Sequence, residues 1–237
     1  MTTHRTTAAD ISRLLGLETP PVALAFVTEA PSTVPQTAQL SPASCAFWRH
    51  AESGVFYASA AQHFHCQIGA MVMGFDLPPQ VVREVGALVE GMSGCGYLSQ
   101  EESGSIPSVG GGAVGVLYGP LADFPRTPDA VLFWLTPTQA MVYNEAAGAA
   151  QWASTPHRVG GRPGCAALPM AIQAERPSLS FGCTGMRTFT EVADDRMLAV
   201  VPGTRLDGFL HDLRVIVTAN EAMEAYYVQR KAELTAS

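Results

Sequence analysis

The sequence predicts a single domain of mixed α+β class, and three observations carry that reading. Apolar runs of strand length at 22–27 and 130–135 alternate with segments of helical spacing. Gly and Pro number 22 and 17 in 237 residues, which suits many short elements joined by tight turns. The chain is 47% hydrophobic and only 15% charged, against about a quarter charged in ordinary soluble domains, so it can bury a large core.

In chain order, Ile11, Leu14 and Leu15 stand at helical spacing ahead of Pro20-Pro21, so residues 9–17 open the fold as a short amphipathic helix. Residues 22–27 form a buried strand. A loop rich in Pro, Ser, Thr and Gln over 28–42 leads to a helix over 45–51, with Ser44 as its N-cap. Gly54 ends that helix, 55–58 is a strand, and Cys66-Gln67-Ile68-Gly69-Ala70 starts a turn or helix that closes near Pro78. Residues 114–117 and 130–135 are strands. Cys165-Ala166 opens a helical stretch to Gln173, 178–181 is a strand, and Cys183-Thr184-Gly185 is a turn. The segment 206–234 reads as one or two helices with Leu213, Ile216, Val217, Asn220, Met223 and Tyr227 on one face.

The order strand, loop, Cys-Ala helix, strand, Cys-turn occurs twice, over about 20–77 and 128–190. We read this as two degenerate pseudo-repeats packed as one domain over 1–237, followed by a C-terminal helix. Halves related by a pseudo-twofold would bring Cys45, Cys66, Cys165 and Cys183 to one central site. Cys95, outside both copies, has no counterpart and is not expected to be a ligand.

Composition removes several function classes. Lys231 is the only lysine and follows Arg230, so no P-loop lysine exists and a pyridoxal Schiff base is improbable. A net charge of −7 with no basic tract argues against nucleic acid or anionic membrane as partner. A small molecule is the expected partner, and self-association into a homo-oligomer stays open. The polar start of the chain and the lack of a long apolar run predict a cytoplasmic protein, where cysteines serve as thiols, metal ligands or redox groups rather than disulfides.

Four thiolates can hold a zinc ion or a 4Fe-4S cluster, since both require soft, deprotonated ligands. No Cys-x-x-Cys pair is present, and the bland alternative is that the cysteines are small buried apolar side chains. His63 and His65 add imidazoles beside Cys66, with His63 a candidate ligand. Gly110, Gly112 and Gly115 match Gly-x-Gly-x-x-Gly, but a strand follows instead of a helix, so a glycine loop beside a pocket is the better reading. Gly-x-Ser-x-Gly and His-Glu-x-x-His are absent. Arg187 is a candidate substrate anchor, with a salt bridge to Glu191, Asp194 or Asp195 as the competing role. Asn220, on an otherwise apolar helix face, is a pocket group or a structural link.

Ser44-Cys45-Ala46, His63-x-x-Cys66-x-Ile68-Gly69, Tyr118-Gly119-Pro120-Leu121, Pro128-Asp129, Thr136-Pro137-x-Gln139-Ala140-Met141, Gly161-Arg162-x-x-Cys165-Ala166, Gly182-Cys183-x-Gly185-x-Arg187 and Ala219-Asn220 follow one another along most of the chain. In these residues the chain resembles the bacterial and archaeal family called domain of unknown function 169, over most of its length. The resemblance implies that Cys45, Cys66, Cys165 and Cys183 are family positions and that Cys95 is not; the family's name implies no activity. Ligands scattered over distant loops in a Gly-rich apolar shell favour a 4Fe-4S cluster, with zinc as the alternative, because structural zinc usually staples short loops with closely spaced pairs. The expected function is a cluster-dependent enzyme acting on a small anionic molecule by lyase- or desulfurase-type bond cleavage. The alternatives are a non-catalytic thiolate sensor of metal or redox state that binds small molecules, and a metal-free binding domain.

Overall fold

A computed structural model describes residues 3–149, 159–160 and 162–235. Among them, strands β1 (Val22–Val27), β2 (Phe56–Ser59), β3 (Gly115–Pro120), β4 (Ala130–Leu135), β5 (Val159–Gly160), β6 (Ser178–Ser180) and β7 (Met197–Pro202) form one sheet in the order β2-β3-β1-β4-β7-β6-β5. Pairing is antiparallel except between β5 and β6. The α-helices are α1 (His4–Leu15), α2 (Ala46–His50), α3 (Ala60–His63), α4 (Gln67–Val72), α5 (Pro79–Gly94), α6 (Gln100–Ser103), α7 (Pro137–Asn144), α8 (Ala167–Ala174), α9 (Thr184–Thr190) and α10 (Leu206–Thr235). The class is therefore mixed, as the sequence predicts. Outward from the central β1 and β4, the order is β3 then β2 on one side and β7 then β6 on the other.

Alternate residues of a strand face opposite sides of a sheet, and here both sides are buried. Leu24, Tyr118, Leu132 and Val200 join Phe47 and Trp48 of α2, Val72 of α4, Leu168 of α8 and Met186 of α9 in one core. Ala25, Leu117, Phe133 and Val201 join Ile11 of α1, Tyr143 of α7, and Phe209 and Leu213 of α10 in the other. Two-sided burial explains why β1 and β4 read as continuous apolar runs.

Polar side chains fix the joints. Thr3 caps α1, its Oγ1 accepting from the Thr6 amide at 3.3 Å, so the helix begins earlier than its apolar spacing predicts. At α7, Thr136 and Gln139 form a capping box, and Gln139 Nε2 donates to the Gly16 carbonyl at 2.7 Å, joining α7 to the end of α1. Where β1 parts from β4 beyond Leu24, Asp129 takes over: its amide donates to the Leu24 carbonyl at 2.8 Å and its Oδ2 accepts from the Phe26 amide at 2.7 Å.

The sequence reading leaves α5 and β7 unassigned. α5 buries only Val81 although Val85, Leu88 and Met92 continue its helical spacing, and β7 runs between Asp194-Asp195 and Pro202-Gly203. The segment 206–234 is one helix rather than two. It buries Leu206, Phe209, Leu210 and Leu213, but every residue from 221 to 235 is exposed, so Met223 and Tyr227 lie outside the core.

At the end of α3 the His63 ring packs between Phe47 and Phe75, with centroids 4.9 and 4.8 Å away. Its Nδ1 donates to the Ser59 carbonyl at 2.8 Å, which leaves Nε2 to accept from the Tyr118 hydroxyl at 2.9 Å. Burial pulls its pKa down from 6.5 to about 4, against the opposing Ser59 hydrogen bond. Between those pH values the unfolded chain binds a proton that the native ring refuses. This contribution to stability is fully present above pH 6.5 and lost as pH falls towards 4, by up to about 3 kcal/mol. An NMR titration of the imidazole should give a midpoint near 4; a midpoint at or above 6.5 would contradict the buried neutral ring.

Candidate functional site

The thiols of Cys45, Cys66, Cys165 and Cys183 line one cavity of about 320 Å³ on the α2, α4, α8 and α9 face of the sheet. Each stands where a helix begins. Cys45 precedes α2, Cys66 precedes α4, Cys165 lies in the 3-10 turn Gly164–Ala166 that feeds α8, and Cys183 precedes α9. Helix starts leave main-chain N–H groups unpaired, which favours a thiolate there. Cys183 Sγ accepts from the Met186 amide at 3.4 Å. Cys45 and Cys165 are buried and form the floor, while Cys66 and Cys183 are half-buried.

Burial pushes the Cys45 thiol far above its ordinary range, and the neighbouring Cys66 and Cys183 thiols push it further; the amides of Cys45 and Ala46 oppose this. Cys165 is raised in the same way, by burial first and then by Cys66, Cys45 and Cys183. These two thiols are neutral at pH 7 unless a cation compensates them, and cation binding there releases protons. All five cysteines are free thiols. Cys95 is exposed after α5, its Sγ donating to the Met92 carbonyl at 3.3 Å, and it does not line the cavity.

Ser44 is not the side-chain cap of α2 that the sequence predicts. Its Oγ is buried at the cavity with no hydrogen-bond partner among the described residues, and Cys45 occupies the cap position without a side-chain bond. Gly69 closes that wall. A Cβ there would lie 2.6 Å from Ser44 Oγ and 2.7 Å from Cys66 Sγ, so only glycine lets α4 approach so closely.

Three other candidates are corrected. His63 has both ring nitrogens engaged and does not line the cavity; exposed His65 does. Arg187 spends its guanidinium on main-chain carbonyls: Nη2 donates to Phe181 at 2.8 Å and Arg196 at 3.0 Å, and Nη1 to Asp194 at 3.3 Å and Ala193 at 3.5 Å. It braces the segments around α9 and does not line the four-thiol cavity, and it bonds carbonyls rather than the side chains of Glu191, Asp194 or Asp195. Asn220 belongs to the opposite face, where its Nδ2 donates to Glu145 Oε2 at 2.6 Å and to the Ile216 carbonyl at 3.0 Å. The guanidinium at the thiol cavity is that of Arg162, stacked on the Tyr97 ring at 4.4 Å from its centroid. Its place three residues before Cys165 was the one sequence signal for it. Gly161, which opens that motif, lies outside the described residues.

Among the described residues, no three His, Cys, Asp or Glu side chains are grouped to hold a single metal ion. Four thiolates around one zinc at 2.3 Å stand about 3.8 Å apart. A cluster places several irons and sulfides between its cysteines and so accepts a wider ring. The donor set is four soft thiols in an apolar shell with an unpartnered hydroxyl beside them, and its chemistry suits a thiolate-bound metal or cluster.

Arg187→Lys should lower stability by about 1–2 kcal/mol, because an ammonium cannot reproduce a fork that serves carbonyls on both sides. Thermal unfolding checks this; an unchanged melting point would contradict the brace. Gly69→Ala should cost about 1–3 kcal/mol by overpacking and displace Cys66, read as a lower melting point with faster alkylation of that thiol.

The model of the family domain of unknown function 169, described as an uncharacterised ArCR group, matches residues 10–211. Comparison with curated proteins and with solved structures gives no match. The match takes in all seven strands and all four cavity cysteines, and the chain belongs to the family domain of unknown function 169.

Proposed function

We propose that Cys45, Cys66, Cys165 and Cys183 hold a 4Fe-4S cluster and that the protein is an enzyme cleaving a bond in a small molecule bound beside it, in lyase or desulfurase fashion. The observation that carries this reading is the convergence of four thiols, drawn from positions up to 138 residues apart in the chain, on one substrate-sized cavity. When bound, such a cluster would supply electron-transfer chemistry at the cavity floor, and Lewis-acid chemistry only at an iron that one of the four thiolates leaves open to the small molecule.

The chain's own contribution is positional. The Met186 amide donates to Cys183 Sγ and the amides of Cys45 and Ala46 draw the Cys45 thiol towards its thiolate form, while the apolar wall limits water beside them. The Ser44 hydroxyl is free to donate a hydrogen bond to a thiolate sulfur or to a ligand atom. The matching outward strand orders, β1-β3-β2 and β4-β7-β6, support a duplicated origin for the two thiol pairs. A reducing cytoplasmic setting accords with five free cysteines. No described helix is long and apolar enough to cross a membrane.

A second reading, a non-catalytic sensor, is favoured by the same thiol count, since four protein ligands can saturate a cluster. Protein purified without oxygen should be brown, with acid-labile sulfide near its iron content. Cys45→Ser, Cys66→Ser, Cys165→Ser and Cys183→Ser should each lower the iron, while Cys95→Ser leaves it unchanged. A colourless protein with stoichiometric zinc, or one without metal after anaerobic reconstitution, would overturn the cluster. Full coordination of every iron, with no spectral change on adding small acids, would favour the sensor.

A further inference from the structure

The wall of the thiol cavity points to a ligand class narrower than a small anion. Among its described lining residues Arg162 is the only permanently charged side chain. The rest of the wall above the thiols is largely apolar. Leu88 and Met92 lie one helical turn apart on α5, which buries only Val81, so they present an apolar stripe to the cavity. Ile106 and Phe189 line it as well. Leu88 and Phe189 are 38% and 46% exposed, whereas Cys45 and Cys165 are buried, so the apolar wall runs from an open rim down to the thiols.

Arg162 is set to meet an anion at that rim. Its plane is held on the Tyr97 ring, and the nearest carboxylate, Glu102 Oε1, stands 3.6 Å from Nη2, beyond a normal hydrogen bond. The other Glu102 oxygen is committed to the Ser99 amide at 2.8 Å. A fork that is oriented, yet only loosely paired, can take a carboxylate by two parallel hydrogen bonds. Arg187, by contrast, has its guanidinium engaged by main-chain carbonyls.

We propose that the cavity binds a small monoanion with an apolar body, its carboxylate on Arg162 at the rim and its aliphatic or aromatic part along Leu88, Met92, Ile106 and Phe189 towards the thiols. The inference rests on the thiol cavity being the functional site and not on what the thiols hold. It names the substrate class for the proposed enzyme.

The test is isothermal titration of the full chain, both metal-free and after anaerobic reconstitution, with 4-phenylbutyrate, the uncharged 4-phenylbutan-1-ol, and glutarate. Phenylbutyrate should bind saturably and at least tenfold tighter than the alcohol, and glutarate, which lacks the apolar body, should bind at least tenfold more weakly than phenylbutyrate. Arg162→Gln should remove the preference for acid over alcohol while leaving the alcohol's affinity within about twofold. Met92→Asp should weaken both. Absence of saturable phenylbutyrate binding to folded wild-type protein in both preparations, equal binding of glutarate, or equal loss of acid and alcohol in Arg162→Gln would overturn the proposal. The wild-type comparison stands even if a variant does not fold. Iron and sulfide content is measured separately, so failure of the ligand class and failure of the cluster are distinguishable.

Discussion

The structure depends on the antiparallel pairing of β1 with β4. That ladder is short, running from Val22 opposite Leu132 to Leu24 opposite Ala130, and Asp129 extends it by bonding the main chain at Leu24 and Phe26. Every other strand is added outward from this pair, so its register decides which side chains of the sheet face each core. A slip of one residue would turn one of the two strands over, sending either Leu24 or Leu132 to the face of α1, α7 and α10 and removing part of the support beneath α2, α4 and α8.

The thiols inherit their positions from that arrangement. None sits on a strand; each lies in a turn where a helix begins above the same face of the sheet. Helix starts offer donor N–H groups, but the desolvation that accompanies convergence outweighs them at Cys45 and Cys165, both of which are driven towards the neutral thiol. A polar group buried without a partner costs about 1–3 kcal/mol, and Ser44 Oγ is such a group. Protonated thiols and an unpaired hydroxyl thus meet in one cavity.

Much of the fold and part of the site were legible in the chain. The strand runs at 22–27 and 130–135 fall on β1 and β4 because two-sided burial leaves no polar residue to blur their ends. Helix α5 was not read although Val81, Val85, Leu88 and Met92 stand at helical spacing, and of these it buries only Val81. The recurring order of strands and cysteines gave the reason to expect four thiols together. Arg187 and Arg162 could not be told apart: each lies within a few residues of a cysteine, and the carbonyls of Phe181, Ala193, Asp194 and Arg196 close on Arg187 only when the chain on either side of α9 folds back on it. His63 looked like a ligand beside Cys66, but the Tyr118 hydroxyl, 55 residues away, occupies the nitrogen that a metal would need. Asn220 looked like a pocket group or a structural link, and the tertiary fold supplied Glu145 as its partner on the far side of the sheet.

By itself, then, the sequence determined the mixed class, the central strands and the candidate thiols, because burial periodicity, turn chemistry and cysteine order are local properties of a chain. Only the tertiary structure decided that the thiols share one cavity, that Arg162 rather than Arg187 faces it, and that His63 is a buried hydrogen-bonded ring. Those outcomes turn on the distances between segments and on which polar groups are already satisfied when the segments meet, and that is fixed by the packing of α2, α4, α8 and α9 on one face of the sheet.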